Sequence, residues 1–359
     1  MKRLITCSDG TWNKPGNTDR GQRVETNVEK MYQCICSYDT SNGQPIPQLK
    51  FYDKGIGTGY SWKENLLGGI AGAGIDKNIK DIYTFLILNY VPGDEIYLFG
   101  FSRGAYTARS IGGLIRNCGI LKPEYIELVD KAYELYRSRD EYTVPDSDMM
   151  MGFRKQYAWE NITPIKFIGV WDTVGSLGIP LPWYRSFNMK RYQFHDVTLS
   201  SFVEHAYQAL AIDERRKIFS PTLWKVSDTV KNDPNHPQQV EQRWFAGVHS
   251  NIGGGYADAG LSDIALQWLS IQAHKTGLCY DDKEYKQIKG NPWGELRRSY
   301  SPLYWFWWPV WRSITLHDDT TRQVIDESVL ERFREIYQYR PRNLRKYVNV
   351  DRSNKPVLT

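Results

Sequence analysis

The sequence predicts an α/β fold: a mostly parallel central sheet flanked by helices, with helical insertions. Three observations carry that expectation. Short β-rich runs recur along the 359 residues, each ending in a polar or glycine-rich turn. Helical patterns lie between the runs, the order expected when parallel strands are joined by crossover helices. The composition is that of a packed globular chain, with 41% hydrophobic and 24% charged residues, and a chain of this length buries a large core.

The elements follow in chain order. Leu4 to Cys7 reads as a first strand that runs into Ser8-Asp9-Gly10-Thr11. Lys77 to Tyr90 reads as a helix, with Ile79, Ile82, Phe85, Leu86 and Asn89 spaced by three and four; it stops before Pro92-Gly93. Ile96 to Phe99 is a strand that enters Gly100, and Tyr106 to Ile115 is an apolar helix small enough to pack closely on the sheet. Ile165 to Trp171 and Trp244 to Val248 are further strands, the first running into Asp172-Thr173 and the second into His249-Ser250. The apolar run before Asp213 reads as helical. No repeat or low-complexity linker divides the chain, so residues 1–359 are expected to form one domain, with insertions at about 122–160, 180–205 and 280–312.

Several function classes are excluded. The 46 basic and 41 acidic residues leave a formal charge of only +5, with no dense Lys/Arg run, so no nucleic-acid partner is expected. The cysteines Cys7, Cys34, Cys36, Cys118 and Cys279 include no CxxC pair and read as reduced thiols. No metal site and no cofactor is expected. The N-terminus has too short an apolar run for a signal peptide, and no stretch of about 18 apolar residues would span a membrane. The chain is therefore expected to be cytoplasmic as synthesised.

The chemistry centres on Gly100-Phe101-Ser102-Arg103-Gly104. An apolar run feeds a Gly-x-Ser-x-Gly turn and a small-residue helix follows, the context a nucleophile elbow requires. In the α/β-hydrolase arrangement the partners follow in the order Ser, acid, His. Asp172 and His249 fit that order, and each follows an apolar β-run. In a parallel sheet strand C-termini share one edge, so the three side chains would converge there. Asp213 is a rival acid, set aside because a helical run precedes it and arginines follow. For the oxyanion the backbone N–H of Arg103 is one expected donor, and the Gly10-Thr11 turn the other; a plain turn is the alternative for Gly10.

Three glycine-rich segments, Gly55 to Gly59, Gly68 to Gly74 and Gly253 to Gly255, lack the Gly-Lys-Ser/Thr ending of a phosphate loop. They read as tight turns and close backbone packing. Trp305, Trp307, Trp308 and Trp311 crowd one short segment. That segment suits either peripheral membrane contact or an aromatic cluster packed on the domain's own surface.

Five blocks together resemble a known family: Cys7-Ser8-Asp9-Gly10-Thr11-Trp12-Asn13, Gly100 to Arg109, Gly169-Val170-Trp171-Asp172-Thr173-Val174-Gly175, Ala211-Ile212-Asp213-Glu214, and Trp244 to Tyr256. It is the largely uncharacterised α/β-hydrolase family that includes the catalytic domains of type VI secretion phospholipase effectors. The resemblance implies an α/β-hydrolase fold and a triad on Ser102, Asp172 and His249. It also implies action on acyl esters such as those of glycerophospholipids, and it is compatible with export by a specialised secretion system. Asn251 departs from the pattern, which usually carries Asp there. The expected function is thus a serine esterase or lipase-like hydrolase, a phospholipase A among the candidates. A catalytically weak binding or regulatory module on the same fold is the alternative.

Overall fold

Strand β1 (Arg3–Ser8) is buried at all six positions and has a parallel neighbour on each side. It is the centre from which the sheet of this computed structural model grows. Residues 1–10, 15–41, 43–55, 70–174, 197–299, 309–350 and 356–358 are described. After β1 come a two-stranded ribbon of β2 (Thr18–Asp19) and β3 (Gln22–Arg23), then β4 (Tyr38–Asp39), β5 (Ile46–Asp53), β6 (Glu95–Phe101), β7 (Ile165–Trp171), β8 (Val203–Ala211), β9 (Gln239–Phe245) and β10 (Gln323–Ile325). A second ribbon, β11 (Val348–Val350) with β12 (Pro356–Leu358), follows.

The main sheet has eight strands in the order β10-β9-β8-β7-β6-β1-β5-β4. Every neighbouring pair is parallel except β4 with β5. From β1 the chain first adds β5 on one side and then β6 on the other. The order therefore reverses between β1 and β6, and the crevice outside their carboxyl ends is where open α/β sheets place ligands.

The described helices are α1 (Asn27–Cys34), α2 (Ile70–Asn89), α3 (Arg103–Cys118), α4 (Val129–Arg137), α5 (Asp148–Tyr157), α6 (Asp228–Asn232), α7 (His249–Gly253), α8 (Gly260–Lys275), α9 (Asp282–Tyr285) and α10 (Glu327–Glu335). Helices α2, α3 and α4 cover one face through Ile79, Ile82, Leu86, Ile111, Leu114 and Ala132. Helices α1 and α8 cover the other through Val28, Met31, Leu266 and Leu269. Both faces are thus dry, and parallel strands buried on both faces need near-continuous apolar runs. β6 supplies one, buried at every position after Glu95. Mostly parallel strands between two helical layers make this an α/β-hydrolase-type architecture.

Four expectations change. The run before Asp213 is strand β8, not helix, because its buried residues pair along β7 and β9. His205, expected in an insertion, already lies in that strand. The strand before His249 ends at Phe245, and Ala246-Gly247-Val248 is a connecting turn. Helix α2 begins at Ile70 rather than near Lys77. Gly72 and Gly74 are consequently helical instead of forming tight turns, while Gly57, Gly59, Gly68, Gly69 and residues 180–196 lie outside the described residues.

Candidate active site

The turn after β6 shows why its glycines are needed. A Cβ on Gly100 would lie 2.3 Å from the Gly104 carbonyl oxygen, and one on Gly104 would lie 2.0 Å from that of Ser8. The strand can reverse into α3 only because both side chains are missing. Ser102 sits at the tip with φ 59° and ψ −117°, a conformation that costs a non-glycine residue about 1–3 kcal/mol. Its own N–H donates to the Trp171 carbonyl at 3.0 Å, which fastens the tip to the end of β7.

Asp172 directly follows the last residue of β7 and also has a positive φ, 42°. His249 is the first residue of α7, reached through Gly247 at φ 138°. Its backbone N–H lies 3.3 Å from a Glu214 carboxylate oxygen. The structure brings the three side chains together. His249 Nε2 is 2.8 Å from Ser102 Oγ, and His249 Nδ1 is 2.6 Å from Asp172 Oδ2. The imidazole is held between two rings, with the Phe101 centroid at 4.6 Å and the Phe219 centroid edge-on at 4.8 Å. Ser102, His249 and Asp172 are 8%, 5% and 0% exposed. Water is thus largely displaced, which strengthens each electrostatic contact.

Asp172 is fully buried, yet its carboxyl lies below the usual range. Burial alone would push it up, but the Arg312 charge and the His249 hydrogen bond outweigh that penalty. Arg312 Nη2 donates to Oδ2 at 2.9 Å and Nη1 to Oδ1 at 2.5 Å, while the Ala211 N–H donates to Oδ1 at 3.0 Å. The sequence had offered no sign of Arg312. It lies 140 positions from Asp172, at the end of the aromatic segment, and no local pattern links the two.

Asp213, the rival acid, also follows a strand, so strand context does not separate it from Asp172. Its partners do. Asp213 Oδ2 accepts the Gly247 N–H at 2.9 Å and the Tyr339 hydroxyl at 3.0 Å. It braces the turn leading to His249, not the imidazole ring. Burial pushes its carboxyl up to about 6 against the opposing pull of those bonds.

Of the expected oxyanion donors, Arg103 opens α3, where backbone N–H groups have no helical carbonyl to bond. The Gly10 N–H donates to its neighbour's Asp9 Oδ1 at 2.7 Å, so in this state it is committed elsewhere. The same carboxylate accepts Thr26 Oγ1 at 2.6 Å and the Tyr52 hydroxyl at 2.7 Å. Thr11 lies outside the described residues. So do Trp305, Trp307 and Trp308; Trp311 is partly buried, with the Arg215 guanidinium 3.9 Å from its ring centroid.

Asn251 uses both ends of its amide. Its Oδ1 accepts the Val248 and Arg297 N–H groups at 3.3 and 3.2 Å, and its Nδ2 donates to the Glu295 carbonyl at 3.0 Å. A cavity of about 740 Å³ lies elsewhere, lined by Arg109, Gly113, Arg116, Tyr136 and Trp224 among others, and by none of the three site residues. Arg116 is 14 residues along α3 from Ser102, roughly 21 Å at helical rise. Among the described residues no helix is long and apolar enough to cross a membrane.

The family described as the catalytic domain of Tle1-like type VI secretion (T6SS) phospholipase effectors matches residues 2–272. An uncharacterized Saccharomyces cerevisiae protein is 30% identical over 236 residues, which cover 61% of this chain and 32% of that protein. The chain thus spans about a third of this curated relative's length. A crystal structure of an uncharacterized Pseudomonas aeruginosa protein is 17% identical with a TM-score of 0.47, covering 81% of this chain and 49% of that one. The Tle1 effector bound to the VgrG spike is 17% identical with a TM-score of 0.37, covering 72% of this chain and 52% of that one.

Proposed function

Because the chain belongs to the T6SS phospholipase effector Tle1-like catalytic-domain family, we propose that it is a serine hydrolase cleaving acyl esters, phospholipids among them, with Ser102 as nucleophile. The observation that carries this is the unbroken hydrogen-bond chain from Ser102 Oγ through His249 to Asp172, at 2.8 and 2.6 Å. His249 Nε2 takes the Ser102 proton as Oγ attacks the ester carbonyl carbon. The resulting oxyanion collapses, the alcohol leaves with the proton from His249, and Ser102 carries the acyl group. Water, deprotonated by His249, then attacks the acyl carbonyl, and the bond to Ser102 Oγ breaks as His249 returns the proton to Oγ, releasing the acid. Asp172 accepts Nδ1–H throughout, holding the tautomer and stabilising the imidazolium.

The Arg103 N–H is the proposed first donor to the oxyanion, and the loop after β1 the proposed source of the second. One such donor is worth about 3 kcal/mol of barrier. The Gly10 N–H would serve only by exchanging Asp9 for the substrate oxygen. A fluorophosphonate probe tests the reading directly. It should label the wild-type chain at Ser102 and leave Ser102→Ala unlabelled, and a panel of phospholipids and water-soluble esters should then report which acyl ester turns over. A folded wild-type chain that takes no label and cleaves no ester would replace this reading with that of a binding module.

A further inference from the structure

We infer that Arg312 is a positioning residue for the triad, clamping the Asp172 carboxylate whose Oδ2 also meets His249 Nδ1. This rests on the serine-hydrolase reading above. A carboxylate that only held His249 would keep free lone pairs. Here both oxygens of Asp172 are occupied by Arg312, through the paired donors of one guanidinium. Such fork-to-fork pairing fixes the plane of the carboxylate as well as its place. Arg312 is in turn fixed: its Nη1 also donates to the Ala211 carbonyl at 3.0 Å and its Nη2 to that of Phe219. The Asn343 amide caps its own carbonyl at 3.3 Å. Arg312 is 6% exposed. Phe219, whose carbonyl holds Arg312, also presses its ring edge-on against His249. One cation therefore ties together the carboxylate, the end of β8 and the aromatic wall of the imidazole. It does so from beyond the family-matched segment, which ends at residue 272.

The clamp has an electrostatic consequence. The charged groups facing His249 are Asp172 at Nδ1, Glu214 at its backbone N–H, Arg312 behind Asp172, and Arg216, which pairs with Glu214 and stacks on Phe219. Removing Arg312 leaves Asp172 with an uncompensated negative charge beside the ring, which favours the imidazolium. Catalysis needs neutral His249 as base, so the acid limb of the pH–kcat/KM profile moves to higher pH.

The test is the pH–rate profile of wild type, Arg312→Met and Arg312→Lys on a hydrolysed ester, with Ser102→Ala as the control for serine-dependent turnover. In Arg312→Met, kcat should fall on the order of a hundredfold, the size expected when a catalytic group is misplaced by about an ångström, with the acid limb moved to higher pH and KM little changed. Arg312→Lys keeps the charge but not the fork, so its limb should stay near the wild-type position while kcat recovers only in part. The limb's position does not depend on how much of a preparation is folded, so partial unfolding does not mask it. Unchanged kcat and limb in both variants, with wild type active, overturn this inference alone, as does a kcat loss with an unmoved limb in Arg312→Met. Absence of Ser102-dependent turnover in wild type overturns the hydrolase reading and this inference with it.

Discussion

Replacing Asp213 with Asn separates the two acids that follow neighbouring strands. Asp213 is buried, with 9% exposure, and its carboxyl is pushed up to about 6 from 3.8. The folded chain therefore keeps this proton between those values while the unfolded chain releases it. The stabilising contribution is complete below about pH 3.8 and is lost as pH rises through about 6. A shift of about two units at roughly 1.4 kcal/mol each makes the ionised form cost about 3 kcal/mol at neutral pH. An Asn oxygen can still accept the Gly247 N–H and the Tyr339 hydroxyl without carrying the charge. The stability of Asp213→Asn relative to wild type should therefore grow by about 2 kcal/mol between pH 4 and pH 7. Urea unfolding across that range measures it, and the pH-dependent part is the test because an amide also changes the pH-independent offset. Ester turnover should stay within a few-fold of wild type. A gap that does not widen with pH refutes the burial argument. A loss of turnover near 10⁴-fold, the size seen when a triad carboxylate becomes an amide, would make Asp213 the catalytic acid instead of Asp172.

Three further outcomes are expected. Ser102→Ala should lower kcat by about 10⁶-fold while its melting temperature stays near wild type, since Ala tolerates the positive φ about as Ser does; a melt displaced by many degrees would contradict a purely chemical role. Gly104→Ala forces a methyl to 2.0 Å from the Ser8 carbonyl oxygen and should destabilise by about 4 kcal/mol or more, seen as insoluble expression or a collapsed denaturation midpoint; a stable, active variant would refute the close approach of α3 to β1. Asn251→Asp removes the donor that the Glu295 carbonyl uses and should cost about 1–3 kcal/mol in chemical denaturation; an unchanged midpoint would show that the amide's donor end contributes nothing.

The elbow was legible in the chain because its determinants are local. A buried apolar strand, two glycines four positions apart and a small-residue helix specify the turn whatever surrounds it. The order of Ser102, Asp172 and His249 was legible for a related reason, since each stands at or just past the carboxyl end of a strand. The reasoning that ranked Asp172 over Asp213 did not hold. β8 carries the polar residues Glu204 and Gln208 four positions apart within its apolar run, a spacing that resembles a helix until the neighbouring strands are in place. Gly10 was read from its residue type as an oxyanion donor, but its N–H turns to Asp9, a choice between acceptors that local pattern cannot rank.

By itself, then, the sequence determined the alternating α/β order, the strained serine turn and the family, because these depend on residues a few positions apart. Only the tertiary structure decided which acid meets the imidazole and what holds that acid. Asp172 and His249 are separated by 77 positions, Asp172 and Arg312 by 140, and Asp213 and Tyr339 by 126. Which of two buried carboxylates receives a cation and which a hydroxyl follows from loop paths over the sheet edge. The energy of each pairing arises only once the sheet has excluded water from both.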